Sequence, residues 1–189
     1  MKALIFDCFG VLTTDYWREF VAALPARHQT AASDLNKAYD AGFITTADFL
    51  QQVASLTGKR PELIEHTHGP ATKNVQLLEY ISTLKVNYKI GLLSNIASDW
   101  ITEEFLSSAE QQLFDAMIFS HTVQLTKPDH RIFELMAERL AVDPRDCVMI
   151  DDLETNCTGA RETGMQAVVY QDFTVAKQQL EQILHNSKD

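Results

Sequence analysis

The chain has 189 residues, 46% of them hydrophobic and 22% charged, with 16 Lys and Arg against 26 Asp and Glu for a net charge of −10. That balance belongs to a soluble globular protein of one or two domains with ample material for a core. The acidic excess, with no Lys/Arg cluster, argues against bulk nucleic-acid binding and against docking on anionic membranes. No stretch approaches the roughly 18 apolar residues of a membrane span. Asp7 breaks the N-terminal apolar run too early for a secretion signal. Cys8, Cys147 and Cys157 are odd in number, widely spaced and without a CxxC pair, which points to a reducing, cytoplasmic setting rather than a disulfide framework or zinc ribbon.

Five short apolar runs, at residues 3–6, 90–93, 116–119, 148–150 and 167–170, show little alternation, as expected of strands buried on both faces. From the second run onward the intervals carry helical patterns, at 101–106, 128–140, 155–163 and 175–184. The strongest is 128–140, with Ile132, Phe133, Leu135, Met136 and Leu140 at helical spacing. Strand–helix alternation predicts an α/β fold, a parallel sheet with helices on both faces.

The first interval is different. About eighty residues separate the first two runs, far more than one crossover helix needs. They read as helices at 16–24, 30–39, 45–56 and 74–84. Thr45-Thr46-Ala47-Asp48 resembles a capping box, and Gly58 stops the helix that follows. The helix at 74–84 reads as a sheet crossover and the earlier ones as an insertion covering the mouth of the first strand, where parallel sheets keep their active sites. The expected organisation is a parallel-sheet core, 1–14 and 86–189, with a helical cap over 15–85.

Polar clusters fall at the C-terminal ends of the predicted strands: Asp7, Ser94-Asn95, Lys127-Pro128, and Asp151-Asp152 with Asn156. In a parallel sheet these ends share one edge. The combination suits phosphoryl transfer. Magnesium takes hard carboxylate oxygens and bridges them to phosphate, Asp7 can attack phosphorus, the Ser94 hydroxyl can hold a phosphoryl oxygen, and Lys127 can neutralise growing charge. Singly, each group has a structural explanation: a turn or helix cap, loop chemistry, a solvated lysine. Their joint order makes coincidence implausible.

That order resembles the haloacid dehalogenase-like hydrolase superfamily. The matching stretches are Phe6-Asp7-Cys8-Phe9-Gly10-Val11-Leu12, Gly91-Leu92-Leu93-Ser94-Asn95, Lys127-Pro128-Asp129 and Ile150-Asp151-Asp152-Leu153-Glu154-Thr155-Asn156. The insertion is similar to the small helical cap of one subgroup, with Tyr39-Asp40-Ala41-Gly42-Phe43-Ile44-Thr45 as its turn before a cap helix. The resemblance implies a Rossmann-like α/β core and carries roles over by position. Asp7 matches the nucleophile and a Mg2+ ligand, the Phe9 backbone carbonyl a further ligand, and Asp152 the acidic ligand of the last motif. Ser94 and Asn95 match the phosphate-binding motif and Lys127 the stabilising lysine. Asp151 matches an outer or second acidic partner, and Asn156 a polar supporting position. The implied partner is a small phosphorylated substrate.

One departure matters. Most phosphatases of this family carry a second Asp where this chain has Phe9, and that Asp protonates the leaving group and then activates water. Phenylalanine transfers no proton, and losing a general acid/base costs about 10²–10⁴ in rate. The branch of 2-haloacid dehalogenases carries an aromatic residue here, and a slow phosphate-binding regulatory protein is a further alternative. The pair Asp151-Asp152 weighs against the dehalogenase, which as a rule lacks it, and toward magnesium and phosphate. Among other residues, Cys8 reads as a buried thiol or a redox gate, and His66-Thr67-His68 as an exposed loop rather than a metal site. His121 is a minority candidate for the missing acid/base, and Arg18 is either a contact to substrate anion or ordinary helix surface.

Overall fold

The computed structural model describes residues 1–61 and 72–186; the expectation for His66 and His68 lies outside them. Five strands, β1 (Ala3–Phe6), β2 (Lys89–Ser94), β3 (Ala116–Phe119), β4 (Cys147–Asp151) and β5 (Gln166–Val169), form one sheet. All pairings are parallel and the order is β3-β2-β1-β4-β5. This is the parallel α/β fold that the strand–helix alternation predicts, with the Rossmann-like core that the resemblance implies.

The absence of alternation in the strands follows from burial on both faces. Leu4 and Phe6 of β1 join Leu92, Val148 and Ile150 on one side, against α4 (Val75–Leu84) and α9 (Phe173–Asn186). Ala3 and Ile5 face the other side with Leu93 and Met149, against α7 (His130–Arg139). The chain leaves β1 for β2 on one flank and later returns to β4 on the other. The C-terminal end of β1 is therefore a topological switch point, where open α/β sheets leave a crevice.

The long first interval holds α1 (Tyr16–Ala22), α2 (Ala26–Asp40) and α3 (Thr46–Thr57). Phe20, Leu24, Ala32, Phe49 and Val53 give these three helices a small core of their own. Tyr39 stacks on Phe49 within it, 4.4 Å between centroids. Asp15 caps α1 by accepting from the Arg18 N–H, and Thr45 caps α3 by accepting from that of Asp48. Gly58 ends α3 in the left-handed region, φ +69°, which favours glycine. The last described helix of the interval, α4, packs on the sheet, as a crossover must.

Several boundaries differ from expectation for local reasons. Helix α2 begins at Ala26 rather than at 30, directly after Pro25, whose ring fixes φ and starts a helix readily. The pattern at 101–106 folds as a single π-helical turn, Ile101–Phe105. Pro128 lies before its helix, whose cap is Asp129, accepting from the Arg131 N–H. Helix α8 (Glu154–Glu162) has Leu153 at its cap with no side-chain bond. The short helices α5 (Ser108–Gln111) and α6 (Ser120–Val123) carry too few residues for periodicity to reveal. No helix among the described residues is long and apolar enough to cross a membrane.

Candidate active site

The end of β1 turns back sharply. The Asp7 N–H still donates to the Ile150 carbonyl at 2.9 Å, while the Cys8 carbonyl accepts from the N–H groups of Val11, Leu12 and Thr13. Gly10 makes this turn with φ +80°. A Cβ at Gly10 would run into the Asp152 carboxylate, and the left-handed φ itself favours glycine. The Cys8 N–H donates to Asp7 Oδ1 at 2.6 Å and fixes the carboxylate.

Parallel strands then bring the other groups to the same edge. Ser94, the last residue of β2, is fully buried, and its hydroxyl has no hydrogen-bond partner among the described residues. An unpaired buried hydroxyl costs about 1–3 kcal/mol. Asn95 uses its side chain locally: its Nδ2 donates to the Lys127 carbonyl at 3.0 Å, and its Oδ1 accepts from the Lys127 N–H at 2.8 Å. The resemblance implies phosphate binding for this pair of positions; in the fold the Asn95 amide anchors the lysine loop.

Lys127 Nζ lies 2.8 Å from Asp7 Oδ1 and 2.6 Å from Asp151 Oδ2, with all three side chains almost completely buried. Burial disfavours its charge, but the two carboxylates outweigh that and hold the ammonium charged. Asp151, at the end of β4, is further held by the Leu153 N–H at 2.9 Å and by Asn156 Nδ2 at 3.0 and 3.1 Å. Asn156 thus holds both Asp151 carboxylate oxygens by hydrogen bonds.

Asp7, Asp151 and Asp152 each present an oxygen within 4.8 Å of the others. Burial pushes the Asp7 carboxyl well up, with Asp151 and Asp152 adding to the shift and Lys127 opposing it. Burial raises Asp152 as well, against the pull of Arg18. The donor set is all hard oxygen, concentrated and short of positive charge, and it suits a divalent cation such as Mg2+. Arg18, from α1, donates through Nη1 to Asp152 Oδ2. It thus binds an anion of the protein itself rather than lying idle on the helix surface.

Phe9 stacks on Trp100 at 6.0 Å, and Trp100 on Phe105 at 5.1 Å. Its side chain belongs to an aromatic row and offers no proton. His121 has Nδ1 2.9 Å from the Ile96 carbonyl and Nε2 3.4 Å from Asp99 Oδ1, so both ring nitrogens face loop groups. Cys8 is fully buried, and burial first, then Asp7, pushes its thiol far up. That is the inert thiol of the two readings, since the thiolate is the reactive form.

Two groups escaped the sequence reading. Ser120, buried at the start of α6, donates to the Asp40 carbonyl and accepts from the Ile96 N–H at 2.8 Å. It ties the end of α2 to the loops after β2 and β3. Asp40 itself accepts from Asn36 Nδ2 at 2.7 Å. Its signal was a carboxylate inside the turn motif that the resemblance had picked out.

A family model described as haloacid dehalogenase-like hydrolase matches residues 1–164, and the chain belongs to that family. Pig bifunctional epoxide hydrolase 2 is 29% identical over 118 residues, 58% of this chain and 21% of that protein. Mouse N-acylneuraminate-9-phosphatase is 32% identical over 91 residues, 48% of this chain and 37% of that protein. The chain thus spans well under half the length of these two curated relatives. A haloacid dehalogenase-family enzyme of Bacteroides thetaiotaomicron, solved with magnesium and inorganic phosphate, superimposes with a TM-score of 0.70 at 22% identity, covering 92% of this chain and 98% of that one. That likeness shows the fold.

Proposed function

We propose that this chain is a magnesium-dependent phosphohydrolase acting on a small phosphate monoester, in the first instance a sugar phosphate, through an aspartyl phosphate on Asp7. One observation carries the reading: a buried carboxylate and a buried lysine meet at the switch point beside two further carboxylates, and the neighbouring strand ends on a buried Ser94 hydroxyl that has no partner among the described residues. The phosphatase relative and the fold shared with a phosphate-bound enzyme support it.

In this reading Asp7, Asp152 and the Phe9 backbone carbonyl would hold the cation, which when bound would offset repulsion between nucleophile and phosphate. Cys8 N–H and Lys127 orient the Asp7 carboxylate for in-line attack. The Ser94 hydroxyl donates to a phosphoryl oxygen, and Lys127 stabilises charge as it grows. Asp151, locked by Lys127 and Asn156, keeps that lysine in place. Helices α1–α3, within the stretch 15–85, form the cap that excludes water and selects the substrate. A dehalogenase needs no such acidic pair beside its nucleophile, so Asp151 and Asp152 favour the phosphohydrolase.

The test is phosphate release from sugar, nucleotide and aryl phosphates with Mg2+, with chelator, and with Asp7→Asn. Release that needs Mg2+ and disappears in the variant is the expected result. No release across the panel, with halide release from 2-haloacids, would overturn it.

A further inference from the structure

Phe9 leaves the proposed reaction without a proton carrier, and the groups at the sheet edge are committed elsewhere. Asp151 is filled by Lys127, Asn156 and the Leu153 N–H. Asp152 meets Arg18, and both ring nitrogens of His121 face Ile96 and Asp99. In an in-line displacement the leaving oxygen lies opposite the nucleophile. Behind Asp7 is the packed sheet, so the leaving group points toward α1–α3.

On that side stands the turn that ends α2. The Asp40 carbonyl accepts from Ser120, which also bonds Ile96 on the loop following Ser94-Asn95. Gly42, two residues on, lies beside the His121 backbone, where a Cβ would make ordinary van der Waals contact with its carbonyl oxygen at 3.5 Å. The turn is thereby seated on the loops after β2 and β3, the edge that carries Ser94 and Lys127. We infer that Asp40 is the proton donor and acceptor for the reaction at Asp7, taking the part that Phe9 cannot play. The inference rests on the phosphohydrolase reading above.

Its environment suits the role. Burial, followed by repulsion from Asp15 at the cap of α1, pushes the Asp40 carboxyl up to about 7, with the Asn36 bond and the charge of Lys127 opposing. A carboxyl poised near neutrality can both give and take a proton. In the first half-reaction Asp7 forms its bond to phosphorus, the ester P–O bond breaks, and the leaving oxygen takes the proton of Asp40. In the second, a water oxygen bonds to phosphorus and its proton passes to the Asp40 carboxylate. The Asp7–phosphorus bond breaks, inorganic phosphate leaves, and Asp40 is again protonated.

The experiment compares the unaltered chain with Asp40→Asn and Asp40→Glu on phenyl phosphate and on 4-nitrophenyl phosphate, whose leaving group is a weaker base. Asp40→Asn should lower kcat/KM on phenyl phosphate by about 10²–10⁴ and on 4-nitrophenyl phosphate by less than about tenfold. The limb of the pH profile near neutrality should vanish in Asp40→Asn and return in Asp40→Glu. Rapid quenching with 4-nitrophenyl phosphate should trap acyl phosphate in Asp40→Asn, because water attack lacks its base. Asparagine is nearly isosteric and the Ser120 bond uses the backbone carbonyl, so the melting temperature should hold. An equal loss on both esters, or no loss, would overturn the inference while leaving the phosphohydrolase standing. No release from either ester by the unaltered chain would remove both.

Discussion

Replacing Lys127 with methionine tests whether the site is held by charge. The lysine side chain is 1% exposed, and its partners Asp7 and Asp151 are 8% and 0% exposed. Methionine fills the space and leaves two carboxylates facing each other without their ammonium. Removing one partner of a buried pair costs about 3–5 kcal/mol, because the remaining charge is uncompensated. With a urea dependence of about 1–3 kcal/mol per molar, the unfolding midpoint should fall by roughly 1–5 M at pH 8 in chelator. The loss should depend on pH. Burial and its acidic neighbours already raise the Asp7 carboxyl above its unfolded value, and Lys127 opposes that shift. Without the lysine the folded value climbs further. Stability of the variant then falls as pH rises from the unfolded carboxylate value, about 4, through the new folded value, and the deficit stops growing above it. Urea melts at pH 5 and pH 8 read both effects. A loss under about 1 kcal/mol at pH 8, or the same loss at both pH values, would refute the argument.

Two further variants separate function from stability. Ser94→Ala removes a buried hydroxyl that has no partner among the described residues. It should leave the metal-free chain unchanged or up to about 2 kcal/mol more stable by calorimetry, while kcat/KM on 4-nitrophenyl phosphate falls. Arg18→Gln removes the cation that occupies Asp152. Isothermal titration should show Mg2+ binding several-fold tighter, since the metal no longer displaces a guanidinium; unchanged or weaker binding would count against that competition.

Much of the site was legible because parallel strands make a one-dimensional signal carry three-dimensional meaning. Each strand ends at the same edge, so Asp7, Ser94 and Asp151-Asp152 are neighbours once the strands are found, and Lys127 follows β3 by only the short helix α6 and its turn. The alternation of strand and helix, and the excess length between β1 and β2, likewise follow from periodicity and chain length. Lengths and caps were less legible where the chain departs from regular periodicity: the π-helical turn at Ile101–Phe105 carries apolar and charged residues that read equally as α-helix.

What remained hidden depends on contacts between distant segments. No local pattern pairs Arg18 with Asp152, 134 residues away, or brings the Ser120 hydroxyl to Asp40, 80 residues away. Nor does sequence tell that Asn95 spends both amide atoms on the Lys127 backbone, or that Phe9 joins a row of aromatic rings. The amino-acid order alone determined the α/β class, the shared edge and the identity of its charged groups, since these follow from periodicity and strand direction. The tertiary structure alone decided which of those groups are bound to one another and how burial moves their protons, because desolvation and ion pairing act through space and not along the chain.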